Sequence, residues 1–507
     1  MPHGAGPGGP APTSFRRGSA RSDPPARAGA TIGACDSADL ALSPRGASSG
    51  RPPPTERLAG MPEARRIDAL VAEVGSTTTT VSAFDGLSSS SVTPPVLLGQ
   101  GVAPTSVADG DVSIGVSAAR ADLESRLGPL APDVTLATSS AAGGLRMTVH
   151  GLTQRMTATA AREAALGAGA VVEYQTSGRL RDHDLQRIAA VQPSLILLAG
   201  GVEGGDSDTV LYNARRLTEL EIRPIVVYGG NSRAADEARD ILEPAGFRVR
   251  VTANVYPGVD ELDIVPARAV IHDAFEEHIT HAPGMERIAG FVTGHILPTP
   301  GAVLLAAELF AKAVGDLIVI DVGGATTDVH SITDGSPELA GMRTDPEPHS
   351  KRTVEGDLGT FISAEHVAAL LAPALRPDPL PPAIPRTASE IEAAVLLARV
   401  AAVTAMQRHA GQLKHLYTPT GRQTVVQGRD LTACRIVIGT GGALTRLPEG
   451  ESLLAGTLGH EGGGSLMPPH DARCVLDRDY VFACCGALSG YFEADAVTAL
   501  MRRSTGL

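Results

Sequence analysis

Two short segments hold most of the residues able to do chemistry. The later one is Ile318-Val-Ile-Asp-Val-Gly-Gly-Ala-Thr-Thr-Asp328, an apolar β-branched run that meets a carboxylate, two glycines, two hydroxyls and a second carboxylate. Such a run bounded by glycine predicts a buried strand that turns back on itself. At the turn, Gly323 and Gly324 leave backbone N–H groups uncovered for a phosphate, and Thr326 and Thr327 add hydroxyl donors. Asp321 and Asp328 are candidate catalytic residues: either could hold Mg²⁺ through water or orient an attacking water, as phosphoryl transfer requires. A single copy has an ordinary buried hairpin as its alternative reading. Much earlier, however, Ala69-Leu-Val-Ala-Glu-Val-Gly-Ser-Thr-Thr-Thr-Thr80 repeats the pattern: Glu73 is a second candidate metal ligand beside Asp321, and Gly75, Ser76, Thr77 and Thr78 form the turn. Two such hairpins imply a duplicated fold that clamps a nucleotide's phosphates between similar halves. A third segment, Arg435-Ile-Val-Ile-Gly-Thr-Gly-Gly-Ala-Leu444, is a strand running into glycines that open a helix, where Gly439, Gly441 and Gly442 leave room for adenosine. The expected ligands are therefore ATP or ADP with Mg²⁺.

The rest of the chain must position these turns. Its 507 residues are 43% hydrophobic and 20% charged, enough for two or three domains. A net charge of −13 argues against a nucleic-acid surface. Tryptophan is absent and aromatics make up 3%, so the core must be built from Ala, Val, Leu and Ile. Cys35, Cys434, Cys474, Cys484 and Cys485 lack any CxxC spacing and read as reduced thiols of a cytoplasmic protein. Residues 1–66 are rich in Gly, Pro, Ala, Ser and Arg, lack apolar periodicity and are expected to be a disordered extension, with Met61 a natural start for the folded part. No run is apolar enough to suggest a membrane span.

Residues 67–170 are expected to form the first half, its last strands flanking Gly143-Gly144, where a neighbouring backbone could approach. Residues 171–260 alternate strand and helix and predict an inserted parallel α/β unit; the glycines at 200, 201, 204 and 205 with Asp206 turn the chain or line a crevice. Residues 261–500 complete the second half. There Arg352-Thr-Val-Glu-Gly-Asp-Leu-Gly359 reads as a polar loop and Val481-Phe-Ala-Cys-Cys-Gly-Ala-Leu-Ser-Gly490 as a small-residue helix.

In this order the three motifs resemble the actin-like ATPase superfamily, whose fold implies α/β, ribonuclease H-like duplicated halves, here with an inserted α/β unit. The match narrows through Glu73-Val-Gly-Ser-Thr-Thr-Thr, Ala141-Ala-Gly-Gly-Leu-Arg-Met, Leu198-Ala-Gly-Gly, the Asp321 hairpin and Arg352-Thr-Val-Glu-Gly-Asp-Leu-Gly. These resemble the methylaspartate (glutamate) mutase accessory proteins, often called glutamate mutase L, over roughly residues 67–500. The resemblance implies an ATP-dependent reactivating, chaperone-like factor that docks on subunits of an adenosylcobalamin-dependent carbon-skeleton mutase and releases damaged cobalamin. Glu73 departs from the Asp usual in the first phosphate motif, a change that water-mediated Mg²⁺ contact tolerates better than direct ligation. Asp328-Val-His-Ser-Ile-Thr333 approaches the base-off cobalamin pattern Asp-x-His-x-x-Gly but ends in Thr, so the chain is not read as the mutase's own cobalamin subunit. Two alternatives share the fold: a small-molecule kinase with Asp357 as base, and a nucleotide-binding scaffold that does not hydrolyse.

Overall fold

The computed structural model describes residues 64–507 except Ser90, Val92, 141–144, Thr280, 282–283, Thr420 and 460–463, and the side chains of 108 and 418. The expected extension up to residue 63, with Cys35 and Met61, lies outside the described residues, as does the Gly143-Gly144 approach. Arg65 and Arg66, placed in that extension by the sequence, instead begin the first strand.

Strand β1 (Arg65–Val74) is flanked by an antiparallel hairpin partner, β2 (Thr78–Asp85), which in turn pairs with β3 (Val96–Pro104); on its other side lies the parallel β4 (Leu130–Ser139). The chain then leaves this sheet. Strands β5 (Leu145–Gly151), β6 (Ala170–Ser177), β7 (Leu195–Leu198), β8 (Ile225–Tyr228) and β9 (Val249–Val251) form a wholly parallel sheet in the order β6-β5-β7-β8-β9. β7 and β8 at its middle are continuous, fully buried apolar runs, as parallel strands covered on both faces are. Strand β10 (Ile296–Pro298) returns to the first sheet beside β4. The second large sheet contains β11 (Leu317–Val322), β12 (Thr327–Ile332) and β13 (Ser350–Glu355). After the separate hairpin β14 (Gln412–Thr418) and β15 (Gly421–Gln427), it is completed by β16 (Ile436–Thr440) and β17 (Arg473–Leu476).

The two large sheets are topological copies. Their orders, β10-β4-β1-β2-β3 and β13-β12-β11-β16-β17, each place an antiparallel three-strand meander beside two parallel strands. The duplicated α/β fold expected from the hairpins is therefore present. A helix follows the fifth strand of each copy, Thr299–Val314 after β10 and Phe482–Leu488 after β17. These helices cross closely: a Cβ on Gly486 would collide with the carbonyl of Ala302, and Phe310 meets Phe482 edge-to-face at 5.9 Å. Around them lies a core drawn from both sheets, including Val71, Leu136, Val319, Ile438 and Val475, together with Phe84.

The expected boundaries do not follow the sheets. β5, placed by the sequence in the first half, pairs with β6 and β7 in the middle sheet, and β10, placed in the second half, pairs with β4. The glycines after β7 bring loops together: a Cβ on Gly230 would lie 2.9 Å from Gly200 backbone atoms. Residues 352–355, read as the start of a polar loop, belong to β13, an edge strand on β12.

Candidate nucleotide and metal site

Each phosphate hairpin closes in the same way. In the first turn the Gly75 amide donates to the Thr78 carbonyl at 3.0 Å, and in the second Gly323 donates to Thr326 at 2.9 Å. The pairs Val74–Thr79 and Val322–Thr327 close the two registers identically. In both turns most carbonyls are tied back. Thr105 donates its hydroxyl to the Gly75 carbonyl at 2.8 Å and its amide to the Thr77 carbonyl at 3.0 Å. In the second turn Thr360 donates to Gly323 at 3.1 Å, Phe361 and Ile362 to Gly324 at 2.9 and 2.7 Å, and the Ser363 hydroxyl to Ala325 at 2.8 Å. The amides of Ser76, Thr77, Gly324 and Ala325 have no acceptor among the described residues. Turns with satisfied carbonyls and free N–H groups are anion cradles. The two cradles face each other, because a Cβ on Gly324 would sit 3.7 Å from Thr77 Cγ2.

Carboxylates lie beneath the turns. Glu73, at the end of β1, is 7% exposed and accepts a hydrogen bond from the Tyr480 hydroxyl at 2.7 Å. Burial pushes its carboxyl up to about 7, with the negative charge of Asp477 adding to the rise and the Tyr480 bond and Arg446 opposing it. Asp321, opposite Thr440 in the ladder, is half-buried. Its carboxyl is raised well above the usual range by burial first, then by Asp328, Glu73 and Asp477. Gly441 crosses directly over it: φ is +85° and a Cβ would collide with Asp321 Oδ1. Asp477 accepts from the amides of Val481 and Phe482 and from the Thr440 hydroxyl, so it caps the helix Phe482–Leu488 and ties it to β16.

Several candidates occupy other positions. Asp328 is buried and bound by Arg352, Nε at 2.7 Å and Nη2 at 2.6 Å, and also receives the Thr326 hydroxyl at 3.2 Å. Arg352 is 1% exposed and also donates to the carbonyls of Leu166 and Ala170, both at 2.9 Å, joining the second hairpin to the middle unit. Thr327, expected at the phosphates, is buried and its hydroxyl donates to the Leu358 carbonyl instead. Gly439 packs against the side chains of Leu444, Leu454 and Leu476, so its lack of a Cβ makes room for core leucines; Gly442 has open space around it. Asp357, the alternative kinase base, makes two bonds to Arg408 at 2.7 and 2.9 Å, and that guanidinium holds its carboxyl below the usual range. His330, of the cobalamin-like pattern, is fully buried in β12.

No group of three or more His, Cys, Asp or Glu among the described residues forms a metal cluster. Glu73 and Asp321 provide two oxygen donors beside the cradles, and Mg²⁺ bound to phosphate takes only one or two carboxylates from protein. The donor set therefore fits a nucleotide-borne Mg²⁺. Tyr480, Asp477, Arg446 and Thr105 were not singled out from sequence. The signal available for Asp477 was an apolar strand, Val475-Leu476, ending in a carboxylate just as β11 does.

The model of the MutL protein family matches residues 69–505. Protein MutL of Clostridium tetanomorphum is 38% identical over 394 residues, covering 72% of this chain and 85% of that protein. Among solved structures, nucleotide-free acetone carboxylase is similar at 13% identity and TM-score 0.33, covering 83% of this chain and 70% of that one. A carbohydrate kinase from Novosphingobium aromaticivorans is similar at 12% identity and TM-score 0.26, covering 87% and 98%. Among the described residues no helix is long and apolar enough to cross a membrane. With the family match spanning nearly the whole described chain and a curated relative above a third identical, this chain belongs to the MutL protein family.

Proposed function

We propose that this protein is an ATP-binding accessory factor that services an adenosylcobalamin-dependent carbon-skeleton mutase, coupling nucleotide state to release of damaged cofactor. The observation that carries the nucleotide reading is the pair of facing turns with tied-back carbonyls and free amides above Asp321 and Glu73. The turn amides and the hydroxyls of Ser76, Thr77 and Thr78 bind the phosphates. When bound, Mg²⁺ neutralises phosphate charge. Asp321, half-buried beside the turns, orients the attacking water and, as carboxylate, takes its proton, and Gly441 lets the backbone pass close above it. Asp328 acts through Arg352, fixing the second hairpin against the middle unit. The mutase reading rests on family membership.

Closure of two halves around nucleotide would move the middle unit through Arg352, giving a mutase-docked factor a mechanical stroke. The kinase alternative loses its candidate base, because Asp357 is committed to Arg408. The experiment is ATP turnover by the purified protein with and without a cobalamin-inactivated mutase from the same source, following corrinoid release. Stimulated turnover with release supports the proposal; nucleotide binding with neither stimulation nor release rejects the mutase role.

A further inference from the structure

Away from the phosphate turns, a cavity of about 410 Å³ opens where the helix Thr157–Gly167, β13, the end of the helix Ala388–His409 and the hairpin β14–β15 meet. Its walls carry Arg162, Lys351, Arg408, Lys414 and Arg429, against the single lining carboxylate Glu355. Residues 412–429 contain no Asp or Glu, in a chain of net charge −13.

Ion pairing consumes only part of this positive charge. Glu355 and Asp357 hold Arg408 at 2.7 Å, and Glu347 holds Lys351 at 2.6 Å. Glu163 is shared at longer range between Arg162 at 3.4 Å and Lys351 at 3.6 Å. Lys414 is exposed and has no carboxylate partner among the described residues. Arg429 is 3% exposed and gives Nε to the Ser331 hydroxyl, Nη1 to the Pro348 carbonyl, and Nη2 to the carbonyls of Ser331 and His349. All of these acceptors are neutral, and one of its N–H bonds is left over. Glu347 and Glu163 lie near enough to favour its charge, but burial outweighs them and neither bonds to it; an oxyanion beside it would offset that cost through short charge-assisted bonds.

We propose that this cavity binds a small phosphorylated molecule through its phosphate group, at a site separate from the nucleotide cleft. Cations arrive from three segments: Arg162 from a helix of the middle unit, Lys414 from the hairpin, and Arg429 from the connection just past β15, where it bridges to Ala410. Donors on separate elements suit a tetrahedral group better than a planar carboxylate. The site lies on the seam between the middle unit and β13, next to Arg352 in sequence, so its occupancy braces the same joint that Arg352 spans.

The test is calorimetric titration of the full chain with inorganic pyrophosphate, with saturating ADP present to cover the phosphate turns, and again without ADP. Wild type is compared with the double variant Arg162→Gln, Lys414→Gln, both positions being solvent-accessible so that folding is preserved. The expected result is one pyrophosphate site that persists with ADP and weakens about tenfold per cation removed. Equal affinity in the double variant, no saturable binding up to roughly millimolar pyrophosphate, or equal binding of succinate would each overturn the assignment.

Discussion

Glu73→Gln tests the electrostatics of the site most sharply, because the carboxyl is buried, nearly isosteric with the amide, and shifted in a definite direction. Burial raises it from its ordinary 4.5 to about 7. The sign follows from linkage. A carboxyl whose folded-state value exceeds its unfolded value favours the fold while protonated, and that contribution is full below about 4.5 and is lost as pH rises to about 7. Above that range the folded protein carries the cost of a buried charge. At about 1.36 kcal/mol per pH unit, the rise corresponds to about 3 kcal/mol at pH 8. Glutamine removes the charge and keeps a carbonyl oxygen for the Tyr480 hydroxyl. In nucleotide-free urea unfolding, the variant is therefore expected to be more stable than wild type at pH 8, by up to about 3 kcal/mol, and to converge with it near pH 4.5. ATP turnover falls at the same time, since the stabilised site has lost a donor for the bound cation. A variant no more stable than wild type at pH 8, or one whose difference is the same at both pH values, would refute this reasoning.

Other consequences follow from single contacts. Tyr480→Phe removes the hydrogen bond that opposes burial at Glu73, so the ionisation of Glu73 should move above about 7; a pH titration of stability that stays in place would contradict that. Arg352→Ala leaves Asp328 buried and unpaired and frees the Leu166 and Ala170 carbonyls, a loss of about 3–5 kcal/mol in chemical unfolding. Gly441→Ala places a Cβ on Asp321 Oδ1 at a left-handed backbone position and should weaken ATP binding, read by calorimetry, more than Gly442→Ala, which meets open space.

The hairpins were legible because their signal is local: β-branched runs meeting carboxylate and glycine specify strand and turn within a dozen residues, and both registers close as expected. The alternating pattern of the middle unit was legible for the same reason. What sequence could not show was which sheet a strand joins. β5 follows β4 in the chain and has the same apolar character, but pairing assigns it to the middle sheet. β13 was hidden because Lys351, Arg352 and Thr353 are polar on both faces, one toward Asp328 and the other toward the basic cavity. The partners of the site carboxylates were out of reach for a different reason. Tyr480 meets Glu73 across 407 positions, and no periodicity connects two residues that far apart. Thr327 illustrates the opposite error: a hydroxyl in the right motif faces inward because strand alternation turns it toward Leu358.

The central claim is that the facing turns hold ATP over Asp321 for hydrolysis, and it is tested most directly by ATP binding and turnover in wild type and Asp321→Ala. The account predicts that wild type binds and hydrolyses ATP, and that the variant still binds it while turnover drops about 100-fold or more. A variant with full turnover, or a wild-type protein that does not bind ATP, would contradict it.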